Sequence, residues 1–123
     1  MNKMKKNKID ISDKKTIEII QEDFSKMFPY LKIEFISGTA KLSGKTLGEY
    51  GTRHNGGFMG ISPKTTVAEL VKNFYDYYNL AIEVLRHSGK AWLKASKTDY
   101  WTLEQQNKLG EELTKGIQES RSK

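Results

Sequence analysis

Three stretches of the chain place chemistry-bearing side chains at suggestive spacings. Ser43-Gly44-Lys45-Thr46 copies the tail of a phosphate-binding loop. That motif needs a glycine at position 39, where Thr39 stands, with Gly38 one residue out of place. No apolar strand ending in aspartate stands out as a Mg²⁺ partner, so the segment reads as an ordinary polar loop. His54 lies in Thr52-Arg53-His54-Asn55-Gly56-Gly57, where an imidazole could exchange protons and backbone amides could hold an anion. Catalysis would also require an orienting carboxylate, and Glu49 is the nearest in sequence. With two histidines in all and no metal-ligand spacing, Arg53 and His54 form a candidate loop site and nothing stronger. The third stretch is the most informative. Arg86, His87, Lys90, Lys94 and Lys97 follow one another without an intervening acid, with Trp92, Tyr100 and Trp101 among or beside them. Basic residues interleaved with aromatics suit either a protein interface or a single-stranded nucleic-acid surface.

These residues sit on a pattern that specifies a hairpin. Leu80, Ile82 and Val84 alternate with Glu83, Leu85 and His87, so the first strand has a core face and an outer face. With Ser88-Gly89 as a two-residue turn, Leu85 falls opposite Trp92, Val84 opposite Leu93 and Glu83 opposite Lys94. Each pair is chemically sensible. Trp92, Leu85 and Lys94 then share the outer face. Whether the last helix covers that face decides between core and binding surface.

The remaining elements follow from periodicity and caps. Residues 8–11 suggest a short edge strand, with Ser12 or Asp13 capping a helix over 14–28 whose stripe is Ile17, Ile20, Phe24, Met27 and Phe28. Pro29 ends it. Leu31, Ile33 and Phe35 alternate with Lys32 and Glu34 in a strand over 30–36. Residues 37–63 hold seven of the ten glycines and read as a loop, either mobile or hiding a short helix at 46–50, with a strand near Phe58, Met59 and Ile61. Thr66 and Glu69 form a capping box for a helix to about Tyr78, with a stripe of Val67, Leu70, Val71, Phe74 and Tyr78. Tyr75, Tyr77 and Tyr78 crowd its end, which sends at least one ring to the surface. Thr102 and Gln105 open a last helix to about residue 118, with Trp101 stapled beside the cap. Its stripe is Leu103, Gln106, Gly110, Leu113 and Ile117. No internal repeat is evident.

The predicted order is (β)αβ–loop–αββα. It implies an α+β two-layer sandwich: a small, mainly antiparallel sheet with a C-terminal β-hairpin and about three helices. The 123 residues make one domain, assigned to residues 9–120. Residues 1–8 read as a disordered basic arm, and residues 1–15 carry six lysines against two aspartates while the rest is nearly balanced. With no cysteine, disulfides and thiolate metal sites are excluded. No apolar run is long enough to span a bilayer and the N-terminus lacks the apolar region of a signal peptide, so a cytoplasmic, non-membrane protein without cofactor is expected.

The segments FPYLKIEF, TVAELVKNF and VLRHSGKAWLKASKTDYWTLEQQN also resemble a family of small bacterial proteins ending in a "VFRKSGNVWL…TD.WTL..QN" motif. The resemblance covers most of residues 16–107 and departs from the family at 53–57 and at His87, where the family has lysine. It implies an αβ–αββα domain and brings no activity with it. The resulting expectation is a non-enzymatic interaction or regulatory module for a protein partner. Its binding residues would be Leu85, Arg86, His87, Lys90, Trp92 and Lys94. The alternative is a weak, salt-sensitive nucleic-acid binder using the N-terminal lysines as well. A homo-oligomer is compatible with either, and a small hydrolase or transferase built on His54 ranks last.

Overall fold

Threonines set the helix starts. In the computed structural model, which describes residues 8–51 and 59–121, Thr16, Thr46 and Thr66 each cap a helix, the side chain accepting from the amide three residues on. Thr102 does the same for Gln105. The four helices of the described residues are α1 (Ile17–Met27), α2 (Leu47–Tyr50), α3 (Val67–Tyr78) and α4 (Leu103–Arg121). The strands are β1 (Ile9–Ile11), β2 (Leu31–Ser37), β3 (Ala40–Lys41), β4 (Met59–Ile61), β5 (Ala81–Ser88) and β6 (Ala91–Lys94). They form an antiparallel pair β1-β4 and an antiparallel four-stranded sheet ordered β3-β2-β5-β6. The fold is therefore α+β.

One face of the large sheet carries the core. Leu31, Ile33 and Phe35 of β2 and Ile82 and Val84 of β5 are buried beneath Ile17, Ile20 and Phe24 of α1 and Val67, Leu70, Phe74 and Tyr78 of α3. Ile9, Ile11 and Ile61 of the small sheet join the same core. The helix α4 lies on this face too, and Gly110 makes its approach feasible. A Cβ there would stand 2.9 Å from Tyr30 Cβ and 3.1 Å from the His87 carbonyl.

The chain also repeats one order of elements in tandem, a repeat not evident in the sequence. The order βαββα occurs twice, and the registers of β1-β4 and of β2-β5 are each consistent with a two-fold axis between the copies. Exchanging halves maps the pair Ile33↔Val84 onto Phe35↔Ile82 and the pair Ile9↔Ile61 onto Ile11↔Met59. Glu34↔Glu83 and Asp10↔Gly60 lie on the axis. The isolated bridges Thr16↔Thr46 and Thr66↔Thr102 correspond. So do the bonds from Leu47 N to Lys15 O and from Leu103 N to Thr65 O, both 2.8 Å. The halves differ most at α2 and α4, with 4 and 19 residues. The repeat is hidden in the sequence because the shared residues, such as Ile11/Ile61, Thr16/Thr66 and Phe24/Phe74, are sparse. In addition, Arg86 and His87 have no counterpart in β2, which breaks the spacing.

Three other expectations are corrected. The cap of α1 is Thr16 rather than Ser12 or Asp13, because residues 12–15 make a turn closed by Lys15 N on Ser12 O at 3.2 Å. In the 37–63 segment the short helix at 46–50 and the closing strand are present as α2 and β4, after β3, with Thr46 and Glu49 forming a capping box whose backbone bond holds the Glu49 carboxyl below its usual range. Val71 and Leu113 are 38% and 37% exposed rather than core, while Thr114, one turn beyond Gly110, is buried.

The hairpin register is the third. Ser88 pairs with Ala91, His87 with Trp92, Arg86 with Leu93 and Leu85 with Lys94. The turn is Gly89-Lys90 rather than Ser88-Gly89. Gly89 has φ 65° and Lys90 is not in the positive region, so the turn needs glycine first, as a type II′ turn does. The β2-β3 turn repeats this with Gly38 at φ 63° between Ser37 and Thr39. A shift of two residues preserves faces while changing every partner.

Candidate functional site

The outer face of the four-stranded sheet is where the predicted residues meet. All helices contacting the sheet lie on the other face, so Lys32 and Glu34 of β2, Glu83, Leu85 and His87 of β5, and Trp92 and Lys94 of β6 point away from the core. Of these, His87 meets α4 through Thr114 at the sheet's end. The last helix does not cover Trp92, which remains 37% exposed.

Aromatic and aliphatic groups occupy the centre. The His87 ring lies 4.7 Å from the Trp92 ring and 6.3 Å from that of Tyr30, nearly parallel to the latter. Its Nδ1 is 3.4 Å from Thr114 Oγ1, which also donates to the His87 carbonyl. Lys32 Nζ sits 4.8 Å over the Trp92 ring, a cation–π contact reaching across β5. Leu85 is flanked by Lys32 and Lys94 in the register.

The charges on this face are paired. Register puts Glu34 directly opposite Glu83, a repulsive arrangement unless each is compensated. Glu34 is met by Lys32 at 3.7 Å and Lys41 at 3.4 Å, and Glu83 by Lys94 at 2.9 Å. The Glu83–Lys94 pair anticipated from sequence thus forms, diagonally rather than directly opposite.

Other predicted residues are elsewhere. Arg86 faces the helical side, where Nη1 donates to Gln106 Oε1 at 2.6 Å and Nε is buried. Gln106, fully buried, in turn donates to the Thr98 carbonyl and hydroxyl at 2.7 Å. Arg86 is therefore a fastener for α4, separated from His87 by the alternation of the strand. Lys90 stands in the exposed turn. Arg53 and His54 lie outside the described residues. The Gly44 amide in the phosphate-loop look-alike donates to Glu18 at 2.8 Å, and the helix it precedes is α2, only 4 residues long. Among the described residues no cluster of His, Asp or Glu could hold a metal ion, and no helix is long and apolar enough to cross a membrane.

Lys32, Glu34 and Tyr30 are the members that sequence reasoning missed. The Lys32/Glu34 alternation marked them as an outer face, yet only strand order puts β2 beside β5. Comparison of the chain with protein-family profiles, curated proteins and solved structures returns no match.

Proposed function

We propose that the chain is a non-catalytic interaction module that binds a protein partner across the open face of its four-stranded sheet, with Leu85 and Trp92 at the centre. The supporting observation is the exposure of Trp92 on a sheet face that no described helix covers. A large ring held by His87 and Lys32 loses little conformational freedom on binding, which favours it as an anchor. Lys32, Lys41 and Lys94 near it are ion-paired with Glu34 and Glu83. Such a near-neutral face suits a polypeptide better than a polyphosphate, whose binding rests on unpaired cations.

The test uses Trp92→Ala beside wild type as bait in a native lysate, with and without nuclease. A protein captured by wild type in the presence of nuclease should bind Trp92→Ala more weakly by about 2 kcal/mol, roughly 30-fold. The variant itself should lose only about 1–2 kcal/mol of stability, from a cross-strand pair and a cation–π contact. A loss of about 3–5 kcal/mol, typical of a buried tryptophan, or capture abolished by nuclease, would refute the reading.

A further inference from the structure

The two-fold relation allows each position to be compared with its counterpart, and one difference opens a site. On α1, Gln21 folds back onto the sheet and donates from Nε2 to the Ile33 carbonyl at 3.0 Å. That carbonyl belongs to the outer edge of β2. Hydrogen bonds toward β5 fall on Tyr30, whose carbonyl receives His87 N, and by alternation on Lys32 and Glu34, so Ile33 faces the other way. The strand β3 pairs only with Ile36 and Ser37 and stops short of it. Gln21 therefore completes an edge that the sheet leaves bare.

The second half repeats the bare edge without the plug. The pairing of β6 begins at Leu85, and Ala95 N reaches Val84 O at 3.0 Å. Ile82, the counterpart of Ile33, then presents its N–H and C=O beyond the end of β6. The counterpart of Gln21 is Val71, which carries no donor. Between α3 and this edge lies a groove of about 350 Å³, walled by Val67, Val71, Val84 and Ala95 with Ile82 at its floor. Glu83, Lys94, Lys72 and Asp99 also line it.

We propose that this groove binds an extended peptide segment of a partner protein. One apolar side chain sits between α3 and β5, and a main-chain amide bonds to the Ile82 edge as Gln21 bonds to Ile33. The first half shows the chemistry that fits: an amide donor on an aliphatic stem. An edge residue offering both N–H and C=O matches a single residue of an added strand, and the apolar walls match the side chain of that residue. Charges of both signs in its lining select neither an acidic nor a basic peptide. The site does not depend on the sheet-face reading, because Trp92 is not among its walls.

The test follows backbone amide NMR shifts of the full chain on titration with N-acetyl-leucine N-methylamide. Shifts should centre on Val71, Ile82 and Ala95 and saturate with a dissociation constant on the order of 1 mM, as ligands of this size reach. The glycine analogue, lacking the apolar side chain, should bind at least about tenfold more weakly. Val71→Gln should close the groove and abolish the shifts, with Val71→Leu as a second way to fill it should the first variant not fold. Trp92→Ala should leave the shifts unchanged. The proposal is overturned by any of three results: absence of saturable shifts at the groove, shifts that survive both substitutions at Val71, or equal binding of isoamyl alcohol, which has the branched chain and no amide.

Discussion

Arg86 and His87 are neighbours in sequence and do opposite work. His87 helps hold Trp92 on the outer face, while Arg86 turns inward and joins β5 to α4 through Gln106 and Thr98. Gln106 puts a polar group in the apolar stripe of α4, and it is the group Arg86 requires. Replacing Gln106 with Leu leaves a guanidinium and the Thr98 carbonyl without their partner, which should cost about 2–3 kcal/mol. The double variant Arg86→Met/Gln106→Leu should recover a large part of that loss, since no buried polar group is then stranded. Urea melts of the two variants check this. Equal stability of the single and double variants would show that the pair is uncoupled.

At the scale of elements, α4 shows how packing overrides propensity. Its two glycines look equivalent in sequence and differ in what surrounds them. A Cβ on Gly110 meets Tyr30, Arg86 and the His87 carbonyl, while one on Gly116 meets nothing within 4 Å. Gly116→Ala should therefore stabilise the helix by about 0.5–1 kcal/mol through propensity alone. Gly110→Ala should instead destabilise by about 1–3 kcal/mol, because the helix must move off β5. Thermal melts of both decide it, and stabilisation by Gly110→Ala would mean that α4 is not seated as described. The hairpin teaches the same lesson. Alternation assigned every outer-face residue correctly, but the turn chemistry of Gly89 selected a register that alternation cannot distinguish, two residues away.

The whole molecule is held together where its halves meet. Tyr78 of α3 is buried, and Gly51, ending the first half, packs against its backbone. Burial, aided by the Asp13 carboxylate of the first half, pushes the phenol up to about 12 from its ordinary 10. The folded state thus favours the neutral form. Stability from this group is complete below pH 10 and is lost as pH rises from 10 through 12, by roughly 2 kcal/mol. Denaturant melts from pH 9 to 12 should show that downturn in wild type and a shallower one in Tyr78→Phe. Parallel curves would remove Tyr78 from the account.

The sequence by itself determined the local elements of this protein: the caps at Thr66 and Thr102, the apolar stripes of α1 and α3, the alternation of β2 and β5, and the side of the hairpin on which Trp92 stands. Those depend on residues a few positions apart, where periodicity and capping act. Tertiary structure alone decided that β2 lies beside β5, that Glu34 meets Glu83 on a two-fold axis, and that α4 crosses the core face through Gly110 and leaves Trp92 uncovered. It also decided that Gln21 closes one edge while Val71 leaves its counterpart open. Each of these depends on close approach between segments distant in the chain, and local periodicity carries no information about which surfaces will be brought together.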